Sequence, residues 1–160
     1  MKVWKALDAD TRMSPFMLRL NSPLAIKFPV GERVYSEGVR FYAALSQEEC
    51  SKWAEYVIKK WSLPGSKIIV VPAEAENAIP NPPLLNLVRF TNLNHEMLKL
   101  AWQISDEIRE ILNGRTEVAD EDAKNIAQKV SRQDFIVRPH WIHNPRNKQH
   151  VACSSLTCLE

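Results

Sequence analysis

Four side chains near the end of the chain are of the kinds that hold zinc: His140, His143, Cys153 and Cys158. Neutral imidazole nitrogens and thiolate sulfurs, gathered in fours, make the tetrahedral shell that Zn2+ favours. His150 stands three residues before Cys153 and offers a substitute ligand. The gaps are unlike those of a zinc finger, whose cysteines come in close pairs. A polar tail whose histidines hold no metal has the same composition, so the default expectation is a chain without a cofactor, with zinc as the alternative.

The same stretch supports a second chemistry. Arg138, His140, Trp141, His143, Arg146 and Lys148 interleave basic groups with an aromatic ring. That mixture suits phosphate contacts combined with base stacking, as in nucleic-acid binding. Only three of these groups are full positive charges, however. A short C-terminal arm docked on its own domain would read identically.

A third cluster lies mid-chain. His95 stands near the start of a long helical pattern, with Arg89 shortly before it. A helix N-terminus exposes unpaired N–H groups that attract anions. Thr91, Asn92 and Asn94 nevertheless are ordinary helix-start residues. Tyr35, Glu37, Arg40 and Tyr42 flank Gly38 and would serve acid–base work if a cleft enclosed them. Together these outline a small enzyme with a polar pocket around His95 and Tyr42. Polar residues alternating on the wet face of a strand give the same pattern. No nucleophile motif surrounds Ser22, Ser36, Ser46 or Cys50. Phosphate-loop, dinucleotide and His-Glu-x-x-His motifs are all missing from the sequence. Enzymatic activity is therefore left open.

Five tryptophans stand at Trp4, Trp53, Trp61, Trp102 and Trp141. Exposed tryptophans are frequent interface hot spots, and Trp61 and Trp102 are the candidates. Trp102 lies one position off a near-heptad apolar stripe, a spacing that also suits a partner helix. The leading expectation is thus a non-enzymatic protein-binding or regulatory module, an adaptor that dimerises through an amphipathic helix.

The elements that must position these residues follow from periodicity. Residues 2–7, 16–20, 24–28 and 39–45 read as strands, and 16–45 as a small antiparallel meander. Ser46 and Glu49 form a capping box. Behind it, Cys50, Trp53, Ala54, Val57, Ile58 and Trp61 recur at helical spacing. Pro64-Gly65 ends that helix. Ile68–Val71, four consecutive apolar residues, read as a strand buried on both faces. Prolines 72, 80, 82 and 83 mark 72–83 as an exposed loop. A long helix is expected over 92–112, with Leu93, Met97, Leu100, Ala101, Ile104, Ile108 and Ile111 on one face and Asn113-Gly114 as its C-cap. A further helix spans about 118–132, with Ala119, Ala123, Ile126, Ala127 and Val130 inward. Phe135-Ile136-Val137 reads as an edge strand.

The expected fold is therefore α+β: a small antiparallel or mixed sheet packed against three amphipathic helices. It divides into one domain over 1–134 and a C-terminal arm over 135–160. The 160 residues, 45% apolar and 25% charged, are enough for one hydrophobic core. A net charge of +2 lacks the strong basic stripe of a dedicated nucleic-acid binder. Three cysteines do not make a secreted disulfide framework. With no signal-peptide pattern and no bilayer-length apolar run, an intracellular, cytoplasmic protein with no membrane partner is expected.

Overall fold

A computed structural model describes residues 1–15, 26–60, 67–87 and 94–160. The strands are β1 (Lys2–Asp8), β2 (Arg33–Tyr35), β3 (Phe41–Ala44), β4 (Ile68–Glu76), β5 (Ile79–Pro80), β6 (His150–Cys153) and β7 (Ser155–Cys158). They form one antiparallel sheet in the order β2-β7-β4-β1-β3-β6-β5. Among the described residues the helices are α1 (Gln47–Lys60), α2 (His95–Leu112), α3 (Asp120–Val130) and the single turn α4 (Pro139–Ile142). The architecture is α+β, as expected, with a larger sheet and a fourth short helix. Among the described residues no helix is long and apolar enough to cross a membrane.

The sheet bends sharply along one ribbon. Glu76 lies opposite Ser155, and Ile79 opposite Ala152 continues the same register. The β4–β5 and β6–β7 pairs are thus two long strands running side by side through a shared kink. Asn77 makes the kink with a left-handed φ of 52°, a conformation that asparagine tolerates better than most residues. Its Nδ2 donates to Ser154 Oγ at 2.9 Å, and Ser154 N donates to Glu76 O at 3.1 Å. β1 pairs with β4 on one side and β3 on the other, and β3 pairs with β6. Both arms therefore lead into the kinked ribbon, and the sheet curls around a core that includes Val3, Leu7, Phe28, Phe41, Ala73 and Leu156.

Three expectations are corrected here. The 72–83 stretch is not a loop throughout: β4 runs through Pro72 to Glu76. Pro72 O accepts from Leu159 N, just past the end of β7, so the missing proline N–H falls outside the β7 ladder. Beyond it Ala73 and Ala75 are buried while Glu74 and Glu76 are exposed, the alternation of a half-wet strand. Residues 150–158, assigned to a separate arm, are instead the strands β6 and β7. They are buried almost throughout and so carry no alternating signature. Phe135 pairs only through an isolated bridge with Arg132, so the expected edge strand over 135–137 is not formed.

The helices follow the sequence closely. Ser46 Oγ accepts from Glu49 N at 3.1 Å, capping α1. The Glu49 carboxylate does not complete the box but turns toward Arg146, 3.8 Å away. Asn94 Oδ1 accepts from Met97 N at 2.9 Å and starts α2, three residues later than 92. Asn113, at φ 47°, ends it. The inward face of α2 is rotated from the expected stripe: Leu98, Trp102 and Ser105 join Ala101, Ile104 and Ile108 in the core. Ala123, Ile126, Ala127 and Val130 of α3 are buried as read. The strands proposed over 16–20 and at Leu24-Ala25, together with Trp61, Pro64-Gly65 and Arg89, lie outside the described residues.

Candidate functional site

The seam between β1 and β3 has the fewest registered residue pairs in the sheet. β1 pairs with β4 over seven residues but meets β3 at one, Trp4 opposite Ala44. Beside this seam lies a cavity of about 550 Å³. Its described walls come from β1, β3, α1, the segment 84–87, the first two turns of α2 and residues 140–150. The volume is in the range of small-molecule sites.

Three kinds of side chain line it. The first is aromatic, and includes Trp4 and Trp53 near α1, Tyr42 and Trp102 deeper in, and Tyr56 and Trp141 toward the C-terminal segment. Tyr42 and Trp102 pack with ring centroids 4.8 Å apart and planes tilted by 47°. The second kind is basic: Lys5, Arg40 and Arg146. The third is imidazole, from His140 and His150. No aspartate or glutamate is among the described lining residues.

Each polar group is held by a specific partner. Tyr42 Oη donates to Pro83 O at 2.8 Å and receives Leu85 N at 3.4 Å, which fastens the 82–87 segment over β3. Burial pushes its hydroxyl pKa well above the usual tyrosine value, so it stays protonated. Arg40 forms an ion pair with Asp106 of α2. Arg146 lies over the Tyr56 ring, 5.7 Å from its centroid, with Glu49 as its charge partner. Glu49 Oε1 is buried without a hydrogen bond among the described residues. His150 is 4% exposed, and its Nδ1 lies 2.8 Å from Arg146 O. A carbonyl can only accept, so Nδ1 carries the proton and Nε2 keeps a free lone pair in the neutral ring. Burial lowers the His150 pKa, which favours that neutral ring.

The C-terminal segment is positioned by Asn147. This residue is 2% exposed, and its Nδ2 donates to Trp141 O at 2.9 Å and Ile142 O at 3.2 Å. These bonds serve carbonyls that one helical turn leaves unpaired, and they tie the turn carrying Arg146 to α4, which carries Trp141; both side chains line the cavity.

The sequence candidates divide accordingly. Tyr42, Arg40, Trp102, His140, Trp141 and Arg146 converge on the cavity. His95, the first residue of α2, is half-buried and is not among the lining residues. Tyr35 and Glu37 are exposed, so the acid–base grouping with Tyr42 is not assembled. Arg138 is exposed and precedes α4. Trp102 is 6% exposed and packs inward, which removes it as an exposed hot spot.

The four zinc candidates do not meet. Cys153 Sγ donates to Phe41 O at 3.3 Å from inside the sheet, and Cys158 is fully buried on β7. Burial raises the Cys153 thiol pKa to about 11 and pushes that of Cys158 up as well. His143 Nδ1 lies 2.7 Å from Pro139 O, and its Nε2 lies 3.1 Å from Asp120. His140 faces the cavity instead. Among the described residues no three His, Cys, Asp or Glu side chains are grouped to hold a metal ion.

Lys5, Trp53 and Asn147 were not singled out as site candidates by sequence, and His150 only as a substitute zinc ligand. A signal did exist for Lys5, since strand parity places it between Val3 and Leu7 on the inward face. Nothing local marks Asn147.

No family model matches this chain, and no curated protein or solved structure matches it either.

Proposed function

We propose that this protein is a binding module for a planar aromatic ligand bearing an anionic group, the chemistry of a nucleotide, free or in a single strand. The observation that carries the reading is the composition of the cavity wall. Aromatic rings combine there with the guanidinium groups of Arg40 and Arg146, and no carboxylate belongs to the described lining. Flat rings stack on the faces of a base, which is worth about 1–3 kcal/mol per base. Arginine supplies charge-assisted donors to phosphate oxygens, and the neutral His150 offers an acceptor to a ring N–H.

This reading draws on the basic aromatic segment around Trp141 and Arg146, with a pocket in place of an extended groove. Several cations outside the pocket are already paired, Lys148 with Glu117 and Arg132 with Glu107 among them. Such pairing weakens attraction for a long polyanion; Arg40 and Arg146 in the pocket also have carboxylate partners, Asp106 and Glu49, which a phosphate would have to share. An adaptor that dimerises through the long helix would have Met97, Leu100 and Ile111 of the expected stripe, all half-buried, to offer. Leu98, Ala101, Trp102, Ile104 and Ile108 of α2 are spent on the protein's own core.

The test is titration of tryptophan fluorescence with nucleoside monophosphates, the matching nucleosides and short single-stranded oligonucleotides. Saturable quenching by monophosphates, weaker with nucleosides, is the expected result. Equal, non-saturating responses to all three would refute the proposal.

A further inference from the structure

We propose that Lys5 is a reactive amine that captures an aromatic aldehyde in the cavity as an imine. The inference rests on the reading of that cavity as a ligand site, and adds a covalent step to it.

Lys5 is a charged-type residue in an apolar place. It is 9% exposed, points inward from β1 and lines the cavity. Its Nζ donates to one neutral acceptor, Tyr42 O at 2.7 Å, across the poorly paired β1–β3 seam. The Phe28 ring lies 5.5 Å from the same nitrogen. Among the described residues no carboxylate forms an ion pair with it.

The titratable groups around Lys5 do not replace that missing charge. Cys50 of α1, Cys153 of β6 and Cys158 of β7 face it electrostatically, and burial keeps all three as thiols. His150 is held neutral by its burial. An ammonium with no counter-charge in a desolvated site favours its neutral form, and burial lowers the Lys5 pKa accordingly. A neutral lysine amine beside a ligand cavity is the nucleophile used for Schiff-base chemistry.

The step is balanced without a further reactant. The amine lone pair forms the C–N bond to the carbonyl carbon, giving a carbinolamine. Loss of both nitrogen protons and departure of the oxygen as water then leave a C=N bond to Lys5 Nζ. The protons exchange with solvent, and no oxidation or reduction occurs. The ligand class is an aromatic aldehyde carrying an acidic substituent, which the cationic lining would orient.

The probe is 4-formylbenzoate at pH 7 with cyanoborohydride, which reduces any imine to a stable amine. Peptide mass mapping then locates the adducts, and tryptophan fluorescence follows binding in parallel. Modification of Lys5 roughly tenfold or more faster than of any other lysine, with the preference lost in denaturant, is the expected result. The N-terminal amine serves as a second reference amine. Lys5→Arg should bring total labelling down to the slow background of the remaining amines. Quenching without a Lys5 adduct in the wild-type protein would overturn the imine and leave the cavity reading standing. Neither quenching nor adduct would overturn both, and uniform labelling of all lysines would overturn the inference.

Discussion

Removing one oxygen at Tyr42 separates a structural role from a ligand-contacting one. Tyr42→Phe keeps the ring against Trp102 and deletes the bond to Pro83 O at 2.8 Å. Pro83 is among the fully buried residues, so its carbonyl has no ready access to water. Leaving a buried acceptor unpaired costs about 1–3 kcal/mol. The 3.4 Å contact from Leu85 N is beyond the usual N–H···O range and adds little. The expected loss is therefore about 1–3 kcal/mol, or roughly 2–4 °C in Tm for each kcal/mol in a domain of this size. Urea unfolding followed by circular dichroism measures it. Because the hydroxyl is committed to Pro83, monophosphate affinity should change less than about twofold, well under 1 kcal/mol. A stability loss below about 0.5 kcal/mol would refute the claim that the bond fastens the 82–87 segment. Unchanged stability with a tenfold or greater loss of affinity, about 1.4 kcal/mol, would make the hydroxyl a ligand contact instead.

Three further outcomes are expected. Arg146→Ala should weaken monophosphate binding roughly 10–100-fold by calorimetry, the worth of a charge-assisted hydrogen bond of about 1.5–3 kcal/mol, and should leave nucleoside binding nearly unchanged. Asn147→Ala removes both bonds to the Trp141 and Ile142 carbonyls and should destabilise the fold by about 2–3 kcal/mol in urea unfolding; a loss under about 0.5 kcal/mol would show those carbonyls hydrated. His150 has a pKa lowered by burial, so below about pH 6.5 the unfolded chain binds a proton that the folded one refuses. Stability should fall as pH drops from that point to the folded-state pKa, by up to about 1.4 kcal/mol per pH unit, and His150→Gln should flatten the slope in unfolding measured from pH 7 to pH 5.

Local chemistry was enough to place most helices. Ser46, Asn94 and Asn113 act at helix ends as their side chains and backbone preferences dictate. The alanine-rich face of α3 is buried as its spacing implies. These features depend on residues three or four apart, which the sequence displays directly. β1 was legible by alternation, and Lys5 within it was a readable anomaly between Val3 and Leu7.

Only tertiary structure decided the rest, because the determining contacts join residues far apart in the chain. His150–Cys158 alternates too little to read as strands, since neighbours on both faces bury it. Pro72 argues for a loop until the end of β7 is known, because only then is its missing N–H seen to face no ladder partner. The cysteines drawn to zinc by type are pulled apart from the histidines by the direction in which β6 and β7 bury them. The cavity likewise exists in no single segment. β1 meets β3 at one residue pair, and α1, the start of α2 and the Asn147-held turn close around that gap. Sequence supplied the rings and charges, and long-range pairing of the strands decided which of them share a wall.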